Sequence, residues 1–359
     1  MKSSAVMRGL RVLSCALALS GGAALSLELD QVPQARAASA GRASSAEPLV
    51  PPPPVTRAAE GGSASSAATE DMGPVPTPLD YDPLHDDPFG RRLAGGRILT
   101  GQTPHRLLLF TFDDGPNRRT TPKLLDHLDT YGVKGVFFLT ASRMRGETAR
   151  QRLQQDIARD IVARGHVVAN HTLDHVQLPA LDDRGVAEQI DESQRIFEQV
   201  LGARPWLLRP PGGSRSPRVD GMITARGYTT MLWNLGSGDF QVETADEVFQ
   251  VFTRVLEVRE RDEGDRGGIV LLHDIHERSV EAFPLIMDEI QRRNCALLDT
   301  EDELYDVVDD PSLFFADRDG APPTAVAEPL VLPRAIIEAR QARVREETRQ
   351  RCEAEAAEG

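Results

Sequence analysis

Blocks of apolar and polar positions alternate through the middle of the chain, and they predict alternating strands and helices. Leu107 to Phe112 begins this region with a nearly unbroken apolar run, which is typical of a strand covered on both faces. Helical periodicity is predicted at 122–131, 149–164, 184–201, 217–226, 245–259 and 280–293, and further strands at 133–140, 166–170, 206–209, 228–235, 268–272 and 296–298. About seven strand–helix units of this kind predict a parallel α/β architecture.

The segments on either side of this region have a different composition. Residues 1–40 have an early positive charge, an apolar stretch at 12–27 and small residues suited to cleavage, so we expect a signal peptide and an exported protein, with an uncleaved membrane anchor as the alternative. Residues 41–102 are rich in Pro, Ala and Ser and predict a disordered linker. The folded domain is therefore expected at 103–315. A further linker and a charged, solvated helix at 335–357 are expected within 316–359.

Charge and cysteine content narrow the classes of function. The 359 residues have a formal net charge of −14, which argues against nucleic acid as the main partner because phosphate binding needs a basic face. Cys15, Cys295 and Cys352 form no metal-like cluster. Since Cys15 lies in the predicted leader, the mature chain has at most one disulfide, and we expect none. We also expect a monomer.

Acidic and imidazole side chains follow two of the predicted strands. Asp113 and Asp114 end the first strand, and two adjacent carboxylates require a cation, either a metal ion or an arginine. His171 and His175 are four residues apart, a spacing that places both on one face of a helical turn. With one carboxylate they would make a two-histidine metal site with open positions, whereas alone they could simply face solvent or cap a helix.

Two further strand ends carry side chains suited to catalysis. Arg209 precedes a Pro-Pro-Gly-Gly turn and can hold a carboxylate in a geometry that lysine would not reproduce, although an arginine before a turn needs no such role. His273 ends another apolar strand, where a histidine of the core is the alternative. Trp233 to Phe240 lies in a glycine-containing segment that would allow close approach of a ligand.

These stretches, taken in order, resemble the five motifs of the polysaccharide deacetylases, also called the NodB-homology or carbohydrate esterase family 4 enzymes. The motifs are TFDDGP at 111–116, HTLDH at 171–175, RPPG at 209–212, WNLGSGDF at 233–240 and LLHD at 271–274. The resemblance spans about 107–275 and extends towards 300. It implies a distorted (β/α) barrel and metal-dependent removal of acetyl groups from sugar polymers.

The resemblance also implies roles for individual residues. Asp114, His171 and His175 correspond to the metal ligands, and zinc is the expected ion, with cobalt or another divalent transition metal as alternatives. Asp113 corresponds to the general base, Arg209 to its charged partner and His273 to the general acid. The residues expected to contact substrate are Pro211, Gly212, Trp233, Asp239, Phe240, Leu271 and Leu272.

The fourth motif departs from the family pattern. Gly236 stands where the family has its first Asp, and Phe240 stands where the family has Trp, whereas Asp239 is kept. We expect the missing carboxylate to weaken the acid His273 unless Asp239 or Asp274 replaces it. Three functions therefore remain: an N-deacetylase of peptidoglycan or a chitin-like glycan, an O-deacetylase of a xylan-type glycan, and a weakly catalytic, metal-retaining carbohydrate-binding protein. A polysaccharide is the partner in each case, and a membrane only if the leader is retained.

Overall fold

The computed structural model describes residues 98–315 and 329–358, and its centre is a parallel sheet. The strands are β1 (Ile98–Leu99), β2 (Leu107–Asp113), β3 (Val136–Leu139), β4 (Val167–Asn170), β5 (Leu207–Leu208), β6 (Thr229–Met231), β7 (Leu235–Gly236), β8 (Gly268–His273) and β9 (Asp306–Val307). Their order is β1-β6-β5-β4-β3-β2-β8-β7, and β9 pairs with the start of β2. All pairings are parallel. The sheet curls into a half-barrel, which confirms the predicted distorted (β/α) barrel.

Helices cover the outer face of this sheet. They are α1 (Thr121–Tyr131), α2 (Ala149–Ala163), α3 (Asp183–Leu201), α4 (Pro217–Ala225), α5 (Ala245–Glu263), α6 (Glu277–Leu297) and α7 (Arg334–Glu358). Thr148 and Thr244 begin α2 and α5 with capping boxes, which satisfy backbone donors of the first turns. The six helices predicted before residue 300 are all present.

Strand β2 is buried at every position, and its alternating side chains face two different cores. Leu108, Phe110 and Phe112 pack in the cluster that includes helix residues such as Leu125 and Phe283. Leu107 and Leu109 pack in a second cluster with residues of β3, β4, β6 and β8. Thr111 and Asp113 share the parity of this second set. The continuous apolar run therefore fills both the barrel interior and the layer beneath the helices.

Two strand predictions in the second half of the domain are wrong. The strand expected at 228–235 is divided into β6 and β7, because the Leu232 N–H bonds to Leu99 and the Asn234 side chain bonds to backbone groups of Gly267 and Ile269. The strand expected at 296–298 does not form, because α6 continues to Leu297. Its buried Asn294 side chain bonds to the backbone of Tyr305, and β9 follows.

The sheet begins earlier than the predicted domain boundary at residue 103. Strand β1 pairs with β6, and the Gln102 carbonyl accepts a bond from the Leu330 N–H, so residues 98–102 belong to the fold rather than to a linker. The predicted signal peptide and the rest of the linker lie outside the described residues. No helix in the described ranges is long and apolar enough to cross a membrane.

Helix α7 forms where a charged, solvated helix was predicted, and most of its residues are exposed, but one narrow face is buried. Ile337, Val344 and Thr348 are buried, and Leu332 and Ile337 join the cluster inside the barrel. Arg340 makes a bidentate ion pair with Asp306 of β9, with N···O distances of 2.6 and 2.9 Å. The low apolar content of this helix hid the narrow face that packs against the barrel.

Helix α7 is also joined to α6 by a disulfide, so the expectation of no disulfide is wrong. Cys295 and Cys352 are bonded across a Cα–Cα distance of 6.1 Å. Sequence separation could not reveal this pair, because nothing in the sequence indicates that α6 and α7 are neighbours.

Candidate active site

The candidate site lies where β2, β4, β5 and β8 end at their carboxyl edges. Asp113 is the last residue of β2 and stands in register with His273, the last residue of β8. His171 follows β4, and Arg209 follows β5. Carboxyl ends of parallel strands meet at one edge, so side chains separated by up to 160 positions in the chain converge there.

Asp114, His171 and His175 form a cluster that could hold a metal ion. One ligand atom from each lies within 4.8 Å of the others. Asp114 Oδ1 is 3.5 Å from His171 Nε2 and 3.1 Å from His175 Nε2. His171 is buried, whereas the side chain of His175 is 44% exposed. The cluster therefore has a protein side and an open side.

The chemistry of these donors fits a divalent cation. Asp114 Oδ1 is buried and has no hydrogen-bond partner among the described residues. The His171 Nδ1 lies 2.8 Å from the Arg209 carbonyl, which fixes the proton on Nδ1 and leaves Nε2 as a lone-pair donor. Burial lowers the pKa of His175, which favours its neutral, ligating form. Although burial raises the pKa of Asp114, the neighbouring histidines, chiefly His171, outweigh that effect and lower the pKa to about 2.

The loop that carries the two histidines is not the helical turn predicted from their spacing. Thr172 and His175 have positive φ angles of 68° and 58°, and Asp114 has a φ of 76°; these are the positive-φ residues other than glycine in the described chain. The Asn170 side chain accepts a hydrogen bond from the Thr172 N–H at 2.8 Å. The left-handed backbone of this loop, rather than a helix, turns His175 back towards Asp114.

Asp113 is held by the buried Arg209. The Arg209 Nη1 donates to Asp113 Oδ1 at 2.7 Å and to Thr111 Oγ1 at 2.9 Å, while Nε and Nη2 donate to the carbonyls of Met231 and Leu232. The guanidinium also lies 4.0 Å from the centre of the Phe138 ring. Each nitrogen of the guanidinium thus donates at least one hydrogen bond, which fixes the carboxylate and keeps its charge compensated.

Asp239 supports His273, so the expected gap left by Gly236 does not exist. Asp239 Oδ1 is 2.8 Å from His273 Nδ1, and Oδ2 accepts from the His273 N–H and the Ser279 hydroxyl, both at 2.6 Å. Arg278 also donates to the Asp239 carbonyl. Burial lowers the pKa of His273, but the hydrogen bond and charge of Asp239 outweigh it and raise the pKa to about 9. Asp239 is buried and serves the histidine, not the substrate-facing surface where it was expected.

Asp274, the other candidate support for His273, points elsewhere. It is fully buried and accepts a hydrogen bond from the Thr121 hydroxyl at the start of α1. Burial raises its pKa to about 7. Its carboxyl group packs against Gly115, where an added Cβ would lie 2.3 Å from Asp274 Oδ2. Asp274 therefore supports the turn after Asp114.

The remaining residues that were predicted to contact substrate differ in whether their side chains lie at the site. Phe240 is 58% exposed, and its ring centre lies 5.8 Å from that of His273. Trp233 stacks beside Arg209 and against Gly213, while Pro211 and Gly212 form the short turn next to them. Leu271 shares the parity of His273 on β8. Leu272 instead packs in the cluster beneath the helices, so its side chain does not face the site.

Several supporting residues were missed by the sequence reading. Thr111 braces Arg209, Asn170 braces the histidine loop and Ser279 braces Asp239. Thr111 had a detectable signal, because it is a polar residue in an apolar strand and two positions before Asp113. Ser279 had none, because it lies on a helix 40 residues away from its partner.

Comparison with known proteins finds similarity to polysaccharide deacetylases. Residues 100–231 match the model of the family described as polysaccharide deacetylase. A peptidoglycan-N-acetylglucosamine deacetylase of Bacillus cereus is 32% identical over 139 residues, covering 39% of this chain and 48% of that relative. A peptidoglycan-N-acetylmuramic acid deacetylase of Bacillus subtilis is 29% identical over 187 residues, covering 52% and 36%. The match of residues 100–231 to this family model bears out the resemblance carried by the five motifs.

Other similarities extend to chitin deacetylases. A chitin deacetylase of Arthroderma benhamiae is 28% identical over 211 residues, covering 57% of this chain and 54% of that relative. The structure of the chitin deacetylase of Colletotrichum lindemuthianum is 25% identical with a TM-score of 0.49, and the match covers 55% of this chain and 86% of that one. The chain spans about half or less of the length of the Bacillus cereus and Bacillus subtilis relatives above.

Proposed function

We propose that this protein is an exported, metal-dependent hydrolase that removes acetyl groups from the amino groups of a sugar polymer, peptidoglycan or a chitin-like glycan. The observation that carries the proposal is the convergence of a base, Asp113, and an acid, His273, beside the Asp114–His171–His175 cluster. The activities for which the peptidoglycan and chitin deacetylase relatives are named support the substrate class.

Asp114, His171 and His175 would hold the ion. The set of one carboxylate and two imidazoles suits zinc, and cobalt or another divalent transition metal is the alternative. When bound, such a cation polarises the acyl oxygen and lowers the pKa of water. The half-exposed His175 leaves the open side of the cluster to substrate.

Asp113 acts as the general base in this proposal. Arg209 occupies its Oδ1, while Oδ2 lies 3.6 Å from His171 Nε2 and so faces the ligand cluster. An ionised carboxylate in that position takes the proton of the attacking water. The guanidinium of Arg209 compensates the negative charge of the buried Asp113 carboxylate.

His273 acts as the general acid. Its Nδ1 is bonded to Asp239, which leaves Nε2 free to protonate the nitrogen of the departing amine. The pKa of about 9 keeps His273 in its imidazolium form at neutral pH. With Asp239 in place, the observation that favoured a weakly catalytic binding protein is removed.

Three apolar side chains complete a proposed substrate surface. The exposed ring of Phe240 beside His273 offers a platform on which a sugar ring can stack. Trp233 and Leu271 are proposed to contact the acetyl methyl group. The disulfide between Cys295 and Cys352 supports export, because such bonds persist in oxidising compartments.

The proposal is tested by acetate release from the full chain after metal removal and reloading. We expect zinc- or cobalt-dependent release from N-acetylated chitooligosaccharide or peptidoglycan. Release from O-acetylated xylan alone would favour the O-deacetylase alternative, and metal binding without any acetate release would favour the binding protein. His171→Ala should lose both metal and activity, whereas His127→Ala on α1 is the matched control and should lose neither.

A further inference from the structure

One part of the rim of the site has an uncompensated positive charge, although the chain as a whole is acidic. Among the described residues, the arginines at 118, 119, 143, 145 and 150 have no side-chain hydrogen bond or ion pair. The acidic residues of α1 and the following loop are already engaged: Asp126 and Asp129 bind Arg164, and Glu147 binds Arg152. In a chain of net charge −14, this stretch is exceptional.

Two of these arginines, Arg143 and Arg150, line an open pocket beside the candidate metal site. The pocket has a volume of about 270 Å³ and is lined by Ser142, Arg143, Thr148, Arg150, Gln151 and Gln154. Its wall follows β3 directly. The Ser142 N–H bonds to the Leu173 carbonyl within the histidine loop, and the Gln154 side chain bonds to the Pro116 carbonyl after Asp114. The pocket is therefore built on both loops that carry the proposed metal ligands.

The donors of this pocket suit an anion. Arg143 is half-buried and Arg150 is exposed, and each guanidinium can bind a carboxylate in bidentate fashion. The pocket also lies at the first turn of α2, whose dipole favours negative charge.

We infer that this pocket binds a carboxylate of the polymer, so that the protein prefers an acidic aminosugar polymer to a neutral one. The inference rests on the proposed function, because it assumes that the polymer lies across the site. The carboxylate could belong to a peptide stem or lactyl group on the sugar or to a uronic acid. A neutral chitin-like strand offers none of these groups.

The test uses the full chain and four soluble ligands of similar length: peptidoglycan strands with peptide stems, the same strands without stems, a uronic acid-containing aminosugar oligosaccharide, and a neutral chitooligosaccharide. Binding is measured by calorimetry on Asp113→Asn, and kcat/KM for acetate release on the parent, each at low and high salt. We expect the carboxylated ligands to bind at least tenfold more tightly at low salt, with the difference shrinking at high salt. The stem-containing, stem-free and uronic acid ligands show which carboxylate is bound.

Variants locate the preference in the pocket. The double variant Arg143→Gln and Arg150→Gln should reduce the ratio of carboxylated to neutral affinity about tenfold, and Arg254→Gln, an exposed and unpaired arginine on α5, is the matched control that should leave the ratio unchanged. Equal affinity of the parent for neutral and carboxylated ligands, or an unchanged ratio in the double variant, would overturn the inference. Acetate release without charge preference refutes the inference alone, whereas charge-dependent binding without acetate release refutes the proposed function alone.

Discussion

At the scale of single residues, the site places two buried carboxylates beside two different cationic partners. Asp113 is paired with the guanidinium of Arg209, and Asp239 with the imidazole of His273. A buried charge is costly without a partner, so each pair is expected to depend on both of its members. The proposed base and the proposed acid are thus held by separate partners.

Replacing Asp239 by Asn should leave His273 largely unprotonated at and above neutral pH. Without the carboxylate, the pKa of His273 should fall from about 9 towards or below its ordinary value near 6.5. The alkaline limb of kcat/KM against pH should therefore move to lower pH, and kcat/KM at pH 8 should fall ~100-fold or more. Because the pKa of His273 is higher in the folded protein than in the unfolded chain, its interaction with Asp239 stabilises the fold fully below pH 6.5. This stabilisation is lost as the pH rises through about 9. Urea unfolding at pH 6 and pH 10 measures this difference. An unshifted alkaline limb would exclude His273 as the acid.

Gly236→Asp should bring no gain on the alkaline side. The His273 Nδ1 already has Asp239 as its partner, so an added carboxylate has no proton to accept there. We therefore expect an unshifted or reduced pH profile in this variant. A rate increase confined to high pH would show that Asp239 supports the histidine only in part.

Substitutions of the two adjacent aspartates, Asp113 and Asp114, should have different effects on the metal content of the protein. Asp113→Asn should retain the metal and lose roughly 100-fold or more of the acetate release, because it removes only the base. Asp114→Asn should lose the metal, because it removes the buried Oδ1 of the ligand cluster. Elemental analysis of both purified variants decides between these roles, and the reverse result would exchange them.

At the scale of elements, helix α7 illustrates how a charged sequence can still be part of a core. Its exposed faces carry ion pairs such as Arg334 with Glu338, while Ile337 and Val344 pack inward. The sequence predicted the helix and its length well, since local pairing follows the i,i+4 pattern. It could not predict the packing partner, since that depends on Asp306 and Cys295, which lie far away in the chain.

The disulfide should stabilise the protein without affecting the chemistry. Cys295 and Cys352 are 57 residues apart, and a loop of that length corresponds to about 4 kcal/mol in the chain-entropy account. Cys352→Ser should therefore lower the Tm by about 10 °C and leave acetate release at 25 °C unchanged. A reducing agent should lower the parent's Tm similarly and leave that of Cys352→Ser unaltered. A reductant effect on the variant would contradict this assignment.

At the scale of the whole molecule, the described C-terminal segment completes the inside of the barrel. Leu332 and Ile337 join Leu107 and Leu109 in the interior cluster, and the Leu330 N–H bonds to Gln102 near β1. The sequence predicted the parallel barrel and the strand ends that carry the site, because both follow from local apolar runs and motifs. The sequence did not predict how the barrel interior is completed or how the fourth motif is held. Both depend on contacts between distant parts of the chain, such as the hydrogen bonds of the Asn234 and Asp239 side chains.

A chain limited to residues 98–315 should therefore be much less stable than one of residues 98–359. It lacks the buried Leu332 and Ile337 side chains, each contributing about 1.5–3 kcal/mol, and it also lacks the disulfide. Thermal unfolding should show a Tm lower by more than 10 °C, or the short chain should aggregate. Equal Tm values for the two chains would show that α7 is dispensable, as its composition first suggested.

The late position of these interior residues has a consequence during synthesis. A ribosome produces the chain from its amino end, so β2 and β8 exist before residues 332–337 are available to cover the apolar surface inside the half-barrel. Until those residues emerge, a nascent chain of about 300 residues exposes apolar surface inside the half-barrel, although the strand ends of the candidate site are already present. The growing chain therefore contains the residues of the candidate active site before it contains the segment that covers the apolar interior of the barrel.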